Sequence, residues 1–386
     1  MADQPLFDLD SFHPTPGITH VCAAGESLPL RSQSDVLVQY MTDKAAGPKG
    51  RDNQGEQVDK ARGLIATSWN VSTKEIGFVA NVAEGVSILL ESLDWAEGDN
   101  VCVDADEFPS LVAPFAFRAQ RSQGSSGHQT PQIRYWTAEN RSTAIDNKTR
   151  LIAVSYVSYL NGARSDLSAY RALADSVGAM LVVDFTQAAG YIPIDASIAD
   201  FAFSACYKWL LGTTGTAIAF WNQKRQPKWR PSTAGWHSLS LGDARPQWGT
   251  GRIDIRDDAM CFCRGNPGHL SIYILLNSLE YLRQWATGDI ERHVQVLTAK
   301  LLHEFESAGI PSTTPREAQR HGASVTVDCA GASEIVDELY NNGIYAWNGR
   351  GRIRFSFHGY NSMKDVERIM EIFPALWKKW NSDRSA

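Results

Sequence analysis

The fold is decided by residues 180–220, which read MLVVDFTQAAGYIPIDASIADFAFSACYKWLLGTTGTAIAF. This stretch contains three short apolar runs, a pattern typical of strands that are buried on both faces of a parallel sheet. The first run ends at Asp184 and is followed by Gln187, whereas the second ends at Ser204 and is followed by Lys208. Ligands of open α/β sheets bind beyond the carboxyl ends of the strands. The stretch therefore predicts both the sheet and a ligand site.

Lys208 is the candidate nucleophile of this site. A lysine that follows a buried strand is poorly solvated, so its ammonium form is destabilised and the neutral amine becomes available. A neutral lysine amine forms Schiff bases with aldehydes. The sequence therefore favours carbonyl chemistry at Lys208.

Apolar runs alternate with amphipathic helical segments before this stretch, and helices dominate after His269. The alternation predicts an α/β fold with a mostly parallel central sheet and helices on both faces, followed by a smaller α+β domain. We expect a large domain over residues 20–287 and a small domain formed by residues 1–19 and 288–386. The predicted strands of the large domain are 76–80, 100–104, 132–136, 150–156, 181–184, 200–204 and 217–221, its helices are 58–69, 82–94 and 166–177, and 122–127 is a loop.

The composition and the net charge argue against several classes of protein. The 386 residues carry a net charge of −6, and the 43% hydrophobic and 21% charged fractions are ordinary for a globular protein. The acidic balance argues against nucleic acid as a partner, and no segment is long and apolar enough to span a membrane. The N-terminus lacks the pattern of a signal peptide, which favours the cytoplasm. Because the six cysteines lack zinc-site spacing, we expect them to be reduced and buried.

The set of Asp184, Gln187 and Lys208 resembles the class V aminotransferases, a family of fold type I pyridoxal phosphate (PLP) enzymes that includes cysteine desulfurases and kynureninases. The resemblance implies that Lys208 holds PLP through a Schiff base. It also implies that Asp184 keeps the pyridine nitrogen protonated, so that the ring accepts electrons, and that Gln187 hydrogen-bonds the phenolic oxygen.

Further cofactor contacts are implied by the same resemblance. The backbone amides of Val82 and Ala83, at a predicted helix start, would bind the phosphate. Phe108, in a Phe-Pro turn similar to that of kynureninases, would stack on the ring. Tyr207 and Ser204 would donate hydrogen bonds to the phosphate.

Four more residues complete the implied site. Trp236 and Asn266 fall where the family places phosphate contacts to the neighbouring subunit, which implies a homodimer with shared active sites. Ser158 lies in a loop that touches the ring or the substrate. Arg354, in a run similar to the family's Arg-x-Ser…Tyr-Asn, would bind the α-carboxylate of an amino acid substrate as a bidentate pair.

The residues that distinguish the family's reactions are only partly present. Residues 343–351 contain no cysteine where desulfurases carry their mobile nucleophile, so we reject a standard desulfurase unless Cys329 is exposed on a loop. Phe108 cannot pass protons as the desulfurase histidine does, and Gln187 stands where kynureninases usually have histidine. The pattern of either enzyme is therefore incomplete.

Our prediction is a PLP-dependent enzyme that acts on an α-amino acid, most simply an aminotransferase. The alternative is a PLP-dependent lyase of the cysteine (C–S) lyase or kynureninase kind, and an epimerase stays open. A Rossmann dehydrogenase is disfavoured because no G-x-G-x-x-G follows an early strand. A binding protein that has lost its chemistry is disfavoured because Lys208 and Asp184 are intact.

Overall fold

The computed structural model describes residues 2–13, 15–122, 130–137, 140–240, 248–250 and 253–382. The strands are β1 (Thr19–His20), β2 (Ile76–Val79), β3 (Asn100–Asp104), β4 (Gln132–Trp136), β5 (Thr149–Ser155), β6 (Met180–Asp184), β7 (Phe201–Ala205), β8 (Ala217–Trp221), β9 (Ser324–Asp328), β10 (Ile344–Tyr345), β11 (Trp347–Gly349) and β12 (Arg352–Ser356). The α-helices are α1 (Gln33–Ala45), α2 (Gly47–Ser68), α3 (Val82–Glu91), α4 (Pro109–Ser122), α5 (Arg141–Ala144), α6 (Leu167–Val177), α7 (His269–Leu282), α8 (Thr287–Ser307), α9 (Ala332–Asn341) and α10 (Met363–Ser382).

A seven-stranded sheet in the order β2-β8-β7-β6-β5-β3-β4 forms the centre of the molecule. The pairs from β7 through β6, β5 and β3 to β4 are parallel, whereas β8 runs antiparallel to both β7 and β2. The mostly parallel α/β fold is therefore confirmed. All strands of this sheet except β8 end at the same edge, which gathers the segments that follow them.

The pleat of the strands explains why both faces of this sheet carry helices. In β6, Val182 packs into a core with Val86 of α3 and Phe203 of β7, whereas Leu181 and Val183 pack into the core on the opposite face. Gly85 lets α3 approach β7 closely, because a Cβ atom there would lie 2.3 Å from the Phe203 ring. That approach fixes the start of α3 at the site edge.

Among the described residues between 20 and 287, three α-helices were not predicted, namely α1, α4 and the four-residue α5. Helix α1 leaves Leu37, Val38 and Met41 exposed, so its apolar residues do not follow a buried stripe. Helix α4 contains Pro114, a residue that argues against a helix interior. Ser122 ends α4 rather than starting the predicted loop, and residues 123–127 of that loop lie outside the described part of the chain.

The smaller sheet has the order β11-β12-β9 and is antiparallel throughout. Helix α8 begins at Thr287, next to the predicted domain boundary, and β1 pairs in parallel with β10. The predicted division into residues 20–287 and residues 1–19 with 288–386 stays a prediction. Within the described residues, no helix is both long and apolar enough to cross a membrane.

Candidate active site

The site is assembled at the edge where β3, β5, β6 and β7 end. Asp184 is the last residue of β6, and Lys208 stands three residues beyond the end of β7. Gly190 makes room for the lysine loop, because its φ is +111° and a Cβ atom there would lie 2.2 Å from the carbonyl oxygen of Trp209. The parallel strands thus bring an acid and a lysine that are 24 positions apart in sequence to one place.

A cavity of about 280 Å³ opens over Lys208. Five of the predicted site residues line it together, namely Phe108, Gln187, Tyr207, Lys208 and Arg354. The remaining lining residues are Ala24, Gly25, Glu26, Tyr159, Leu160, Trp347, Gly349, Arg350 and Arg352. The cavity is therefore walled by the segments that follow β3, β5, β6 and β7, by residues 24–26 and by the β11–β12 hairpin.

Lys208 is the buried amine of the cavity, with 6% of its surface exposed. Its Nζ atom lies 5.4 Å from the ring centroids of both Phe108 and Tyr207. Burial lowers the pKa of the Lys208 ammonium to about 8, and the nearby Arg354 guanidinium lowers it further, against the opposing charges of Asp184 and Glu26. The structure therefore provides the neutral amine that Schiff-base formation requires.

Asp184 lies completely buried behind this cavity. Its Oδ1 accepts a hydrogen bond of 2.7 Å from the Thr186 amide. Desolvation raises the pKa of the Asp184 carboxyl, while the Thr186 hydrogen bonds and the Lys208 charge oppose that rise. A buried carboxylate is stabilised by a cationic hydrogen-bond donor. A protonated pyridine nitrogen is such a donor, so the residue fits the PLP ring.

Gln187 is held in one amide orientation. Trp209 Nε1 donates to Gln187 Oε1 at 2.9 Å, and Gln187 Nε2 donates to the carbonyl oxygen of Ala24 at 3.0 Å. Because an indole nitrogen only donates and a carbonyl only accepts, the two contacts fix which end of the amide is nitrogen. The second N–H of Nε2 is thereby kept for an acceptor such as the phenolic oxygen of PLP.

Arg354 is buried, with 8% of its surface exposed. Its Nη1 donates to the carbonyl oxygen of Tyr159 at 2.7 Å, whereas no described residue accepts from its buried Nε. Desolvation lowers the pKa of the guanidinium to about 10. An incompletely satisfied buried guanidinium fits a carboxylate ligand.

The start of α3 has free amides. The Asn81 side chain accepts from the Glu84 amide at 2.9 Å, and the Asn81 carbonyl accepts from the Gly85 amide at 3.3 Å. Among the described residues, no acceptor contacts the N–H groups of Val82 and Ala83, which are the first two of the helix. Together with the helix dipole, these amides fit a phosphate group.

Besides Val82, Ala83 and the buried Asp184, four predicted residues lie outside the lining of the Lys208 cavity. Ser204 is fully buried within β7, where its hydroxyl donates to the carbonyl oxygen of Ala205 at 3.1 Å. Because successive strand residues point to opposite faces, it is Ala205 that packs with the core on the α3 face. The structure therefore does not bring Ser204 to the predicted phosphate position.

Ser158, Trp236 and Asn266 are the other three. Ser158 lines a different cavity beside β5, and its hydroxyl accepts from the Leu160 amide at 3.2 Å. Trp236 is 60% exposed, and Asn266 accepts from Arg51 at 2.9 Å in a separate cavity of about 650 Å³. The position of Ser158 does not favour contact with the ring, whereas Trp236 and Asn266 are accessible from outside the chain.

Sequence reasoning missed Glu107, the residue before Phe108. Its carboxylate accepts from the amide and the hydroxyl of Ser155 at 2.7 and 2.6 Å, and Ser155 pairs with Asp184 across the sheet. Burial raises the pKa of the Glu107 carboxyl to about 7, and the Asp184 charge adds to the rise. An acid three residues after a strand end is a weak signal, because most such residues are solvated.

The six cysteines are buried and form no disulfide, as predicted. Cys329 is 3% exposed, and its amide donates to the carbonyl oxygen of Gly351 at 2.7 Å. Cys22 is near Arg354, and burial raises the pKa of its thiol to about 12. Neither cysteine has the exposed thiolate of a reactive nucleophile.

The sequence is similar to a known family over most of its length. The family model described as aminotransferase class-V matches residues 34–369. An uncharacterized aminotransferase of Schizosaccharomyces pombe is 24% identical over 87% of this chain and 86% of its own length. A probable cysteine desulfurase of Methanothermobacter thermautotrophicus is 26% identical over 82% of each chain.

Solved structures with the same fold include two of the protein C-DES, both 19% identical to this chain. The first is a mutant with glycine covalently linked to the PLP cofactor, with a TM-score of 0.84 over 95% of this chain and 99% of that one. The second is a complex of the same cystine C–S lyase with its product cysteine persulfide, with a TM-score of 0.82 over 94% and 99%. These likenesses place the sheet and its covering helices in the fold of PLP-binding proteins.

Proposed function

Because the chain belongs to the class V aminotransferase family, whose members are PLP-dependent enzymes, we propose that it converts an α-amino acid with Lys208 as the cofactor-holding residue and proton carrier. The observation that supports this most is the placement of Lys208 in one cavity with Arg354, near enough to the buried Asp184 for the two charges to interact. When bound, PLP supplies a ring that accepts the electrons released at the substrate Cα atom.

Each residue has a defined task in this proposal. Arg354 binds the α-carboxylate and thereby orients the substrate, and Asp184 stabilises the protonated pyridine nitrogen. Phe108 covers the ring, Gln187 and Tyr207 donate hydrogen bonds, and the start of α3 carries the phosphate.

Lys208 removes the Cα proton once the substrate amine has displaced it. A general base works best when its pKa lies near the pH of operation, and the value of about 8 in this structure meets that condition. In transamination the same amine would return the proton within the cavity, the amino group would stay on the cofactor, and water would release the carbon skeleton as a keto acid. Transamination is our first candidate, and the name of the yeast relative is in line with it.

The second candidate is a lyase that expels a group from the substrate side chain. Glu26 favours it, because this carboxyl lines the cavity and desolvation raises its pKa, against the pull of the Lys208 charge. A carboxyl that protonates more readily can donate a proton to a leaving group. Burial of Cys329 argues against a persulfide on this chain, so such a lyase would release its sulfur or carbon product directly.

We also propose a homodimer with shared active sites. The accessible Trp236 and Asn266 support it, since both stand where a second subunit could be contacted. A hydrodynamic mass of one chain that persists after PLP loading would contradict this assembly.

The function is tested by incubating the PLP-loaded protein with a panel of amino acids, including alanine, glutamate, cysteine and L-kynurenine, and identifying the products. A keto acid with pyridoxamine phosphate means transamination, whereas pyruvate, alanine or sulfide with PLP regenerated means a lyase. The Lys208→Ala variant should form neither set of products. Turnover by that variant at the wild-type rate would contradict the proposal.

A further inference from the structure

The β11–β12 hairpin places more positive charge at the cavity than is required to bind an amino acid with a single carboxylate. Arg350, Arg352 and Arg354 all line the cavity, alongside Lys208 and a single carboxylate, that of Glu26. The substrate's amine reacts where Lys208 stands, and its α-carboxylate is assigned to Arg354. Two guanidinium groups are therefore left over at the mouth of the cavity.

Strand geometry explains why these groups face the cavity together. Arg352 and Arg354 alternate on one face of β12, and their partners across the β11 pair are Gly349 and Trp347. Gly349 has no side chain and leaves space above Arg352. The two arginines stand about 6.6 Å apart along the strand, a spacing suited to two anionic groups on one small molecule.

Arg352 is only partly neutralised by its neighbours. Its Nε donates to Asp328 at 2.8 Å, but this carboxylate, on the neighbouring strand β9, is 58% exposed. Its Nη1 is buried, and no residue in the described part of the chain accepts from it. A buried donor without an acceptor costs free energy unless a ligand supplies one.

Arg350 stands at the tip of the hairpin in an unfavourable backbone conformation. Arg350 and Gly351 have φ values of +55° and +75° and form a two-residue turn between paired Gly349 and Arg352. Such turns favour Asn-Gly or Gly-Gly, and a residue with a branched or bulky side chain is disfavoured in the left-handed region. Strain of this kind is a pointer to function.

The Arg350 side chain folds back over the cavity. Its guanidinium lies 5.2 Å from the Tyr159 ring centroid and donates to the Tyr159 hydroxyl. Among the described residues, no carboxylate forms an ion pair with Arg350. The neighbouring acids are Glu26 across the cavity and Asp106 and Glu107 near Tyr159. Arg350 thus lines the cavity, and its hydrogen-bond partner there is the neutral Tyr159 hydroxyl.

The geometry points to a substrate with a second anionic group, an amino acid whose side chain ends in a carboxylate or a phosphate, bound at that end by Arg350 and Arg352. This inference rests on the proposed function, since it assigns Arg354 to the α-carboxylate. The shared chemistry of both ligands is a multi-oxygen anion that a planar guanidinium binds through two hydrogen bonds.

The test measures binding of amine-free probes to the PLP-loaded protein by titration calorimetry. The probes are glutarate, which has two carboxylates, valerate, which has one carboxylate on the same number of carbons, and 4-phosphonobutyrate. We expect glutarate or the phosphonate to bind at least about tenfold more tightly than valerate, as charge-assisted hydrogen bonds predict. Tighter binding of glutarate would identify the second anionic group as a carboxylate, and tighter binding of 4-phosphonobutyrate would identify it as a phosphate.

The decisive variant is Arg350→Asn, because asparagine tolerates the left-handed turn and the hairpin keeps its shape. We expect it to lose most of the preference over valerate. The matched control is Arg230→Asn, since Arg230 also stacks on an aromatic ring, at 5.2 Å from the Trp221 centroid, but lies outside the cavity. The control should keep the preference.

The two proposals fail in different ways. Equal binding of glutarate, the phosphonate and valerate, or a preference that survives in Arg350→Asn, would overturn the anionic substrate class even if neutral amino acids are turned over. Turnover of no amino acid at all, with a preference that depends on Arg350, would contradict the proposed function and leave the anion subsite supported.

Discussion

Replacing Lys208 by methionine removes a buried charge while keeping the length of the side chain. Burial lowers the pKa of Lys208 from 10.5 to about 8, so the folded protein holds this proton less tightly than the unfolded chain does. Between these two pKa values the unfolded state binds more protons, and stability therefore rises with pH. The cost of the buried charge is fully present below pH 8 and is lost as the pH rises through 10.5.

The magnitude follows from the two pKa values. At 1.36 kcal/mol per pKa unit, the cost in the cofactor-free protein is about 3 kcal/mol at pH 7 and about 1 kcal/mol at pH 10. Lys208→Met lacks this cost. The difference in unfolding free energy between Lys208→Met and wild type should therefore be about 2 kcal/mol larger at pH 7 than at pH 10. The same shift makes about a quarter of the Lys208 amines neutral at pH 7.5, compared with about one in a thousand for an ordinary lysine.

The assay is urea denaturation of cofactor-free wild type and Lys208→Met at pH 7, 8, 9 and 10. Taking the difference between the two proteins cancels the titration of every shared group whose pKa does not depend on the Lys208 charge. A difference in unfolding free energy that stays constant over this range would refute the reasoning, because it would mean that Lys208 titrates alike in both states.

Three further outcomes are expected. Gly190→Ala should destabilise the protein by several kcal/mol in thermal denaturation, because its Cβ would meet the Trp209 carbonyl. The control Gly55→Ala in α2 has open space around the new Cβ and should stabilise the protein by about 1 kcal/mol. Equal melting temperatures of the two variants would contradict this. Glu107→Gln should remove part of the fall in stability as the pH rises from 4.5 to 7, because the pKa of the wild-type carboxyl is raised to about 7 and the folded state holds that proton more tightly. Cys329→Ser should retain the rate of product formation from cysteine, and loss of sulfide release would show that this thiol reacts after all.

Much of the fold could be predicted because its strands are short apolar runs that end in polar residues. Asp184 and Lys208 are predicted site residues for this reason, since a buried strand makes the residue beyond it recognisable. The seven large-domain strands match their predicted ranges closely. Helices α1 and α4 could not be predicted, because tertiary packing rather than an apolar stripe or propensity sets them.

The remaining features of the site depend on the pleat of the strands and on the burial of single side chains, which the sequence does not show directly. Ser204 was chosen as a phosphate donor, but the pleat of β7 turns Ala205 toward α3 instead. Glu107 looks like a solvated acid in the sequence, whereas in the structure it is partly buried and its carboxylate accepts two hydrogen bonds from Ser155. Arg350 is not among the predicted site residues, because the sequence Gly-Arg-Gly does not show that Arg350 adopts a left-handed backbone conformation in a turn.

The measurement that tests the central claim most directly is peptide mapping by mass spectrometry after borohydride reduction of the PLP-loaded protein. The account predicts that the cofactor mass is found on the peptide that contains Lys208, and that Lys208→Ala carries none. A cofactor mass on a different lysine, or on no lysine in the wild-type protein, would contradict it.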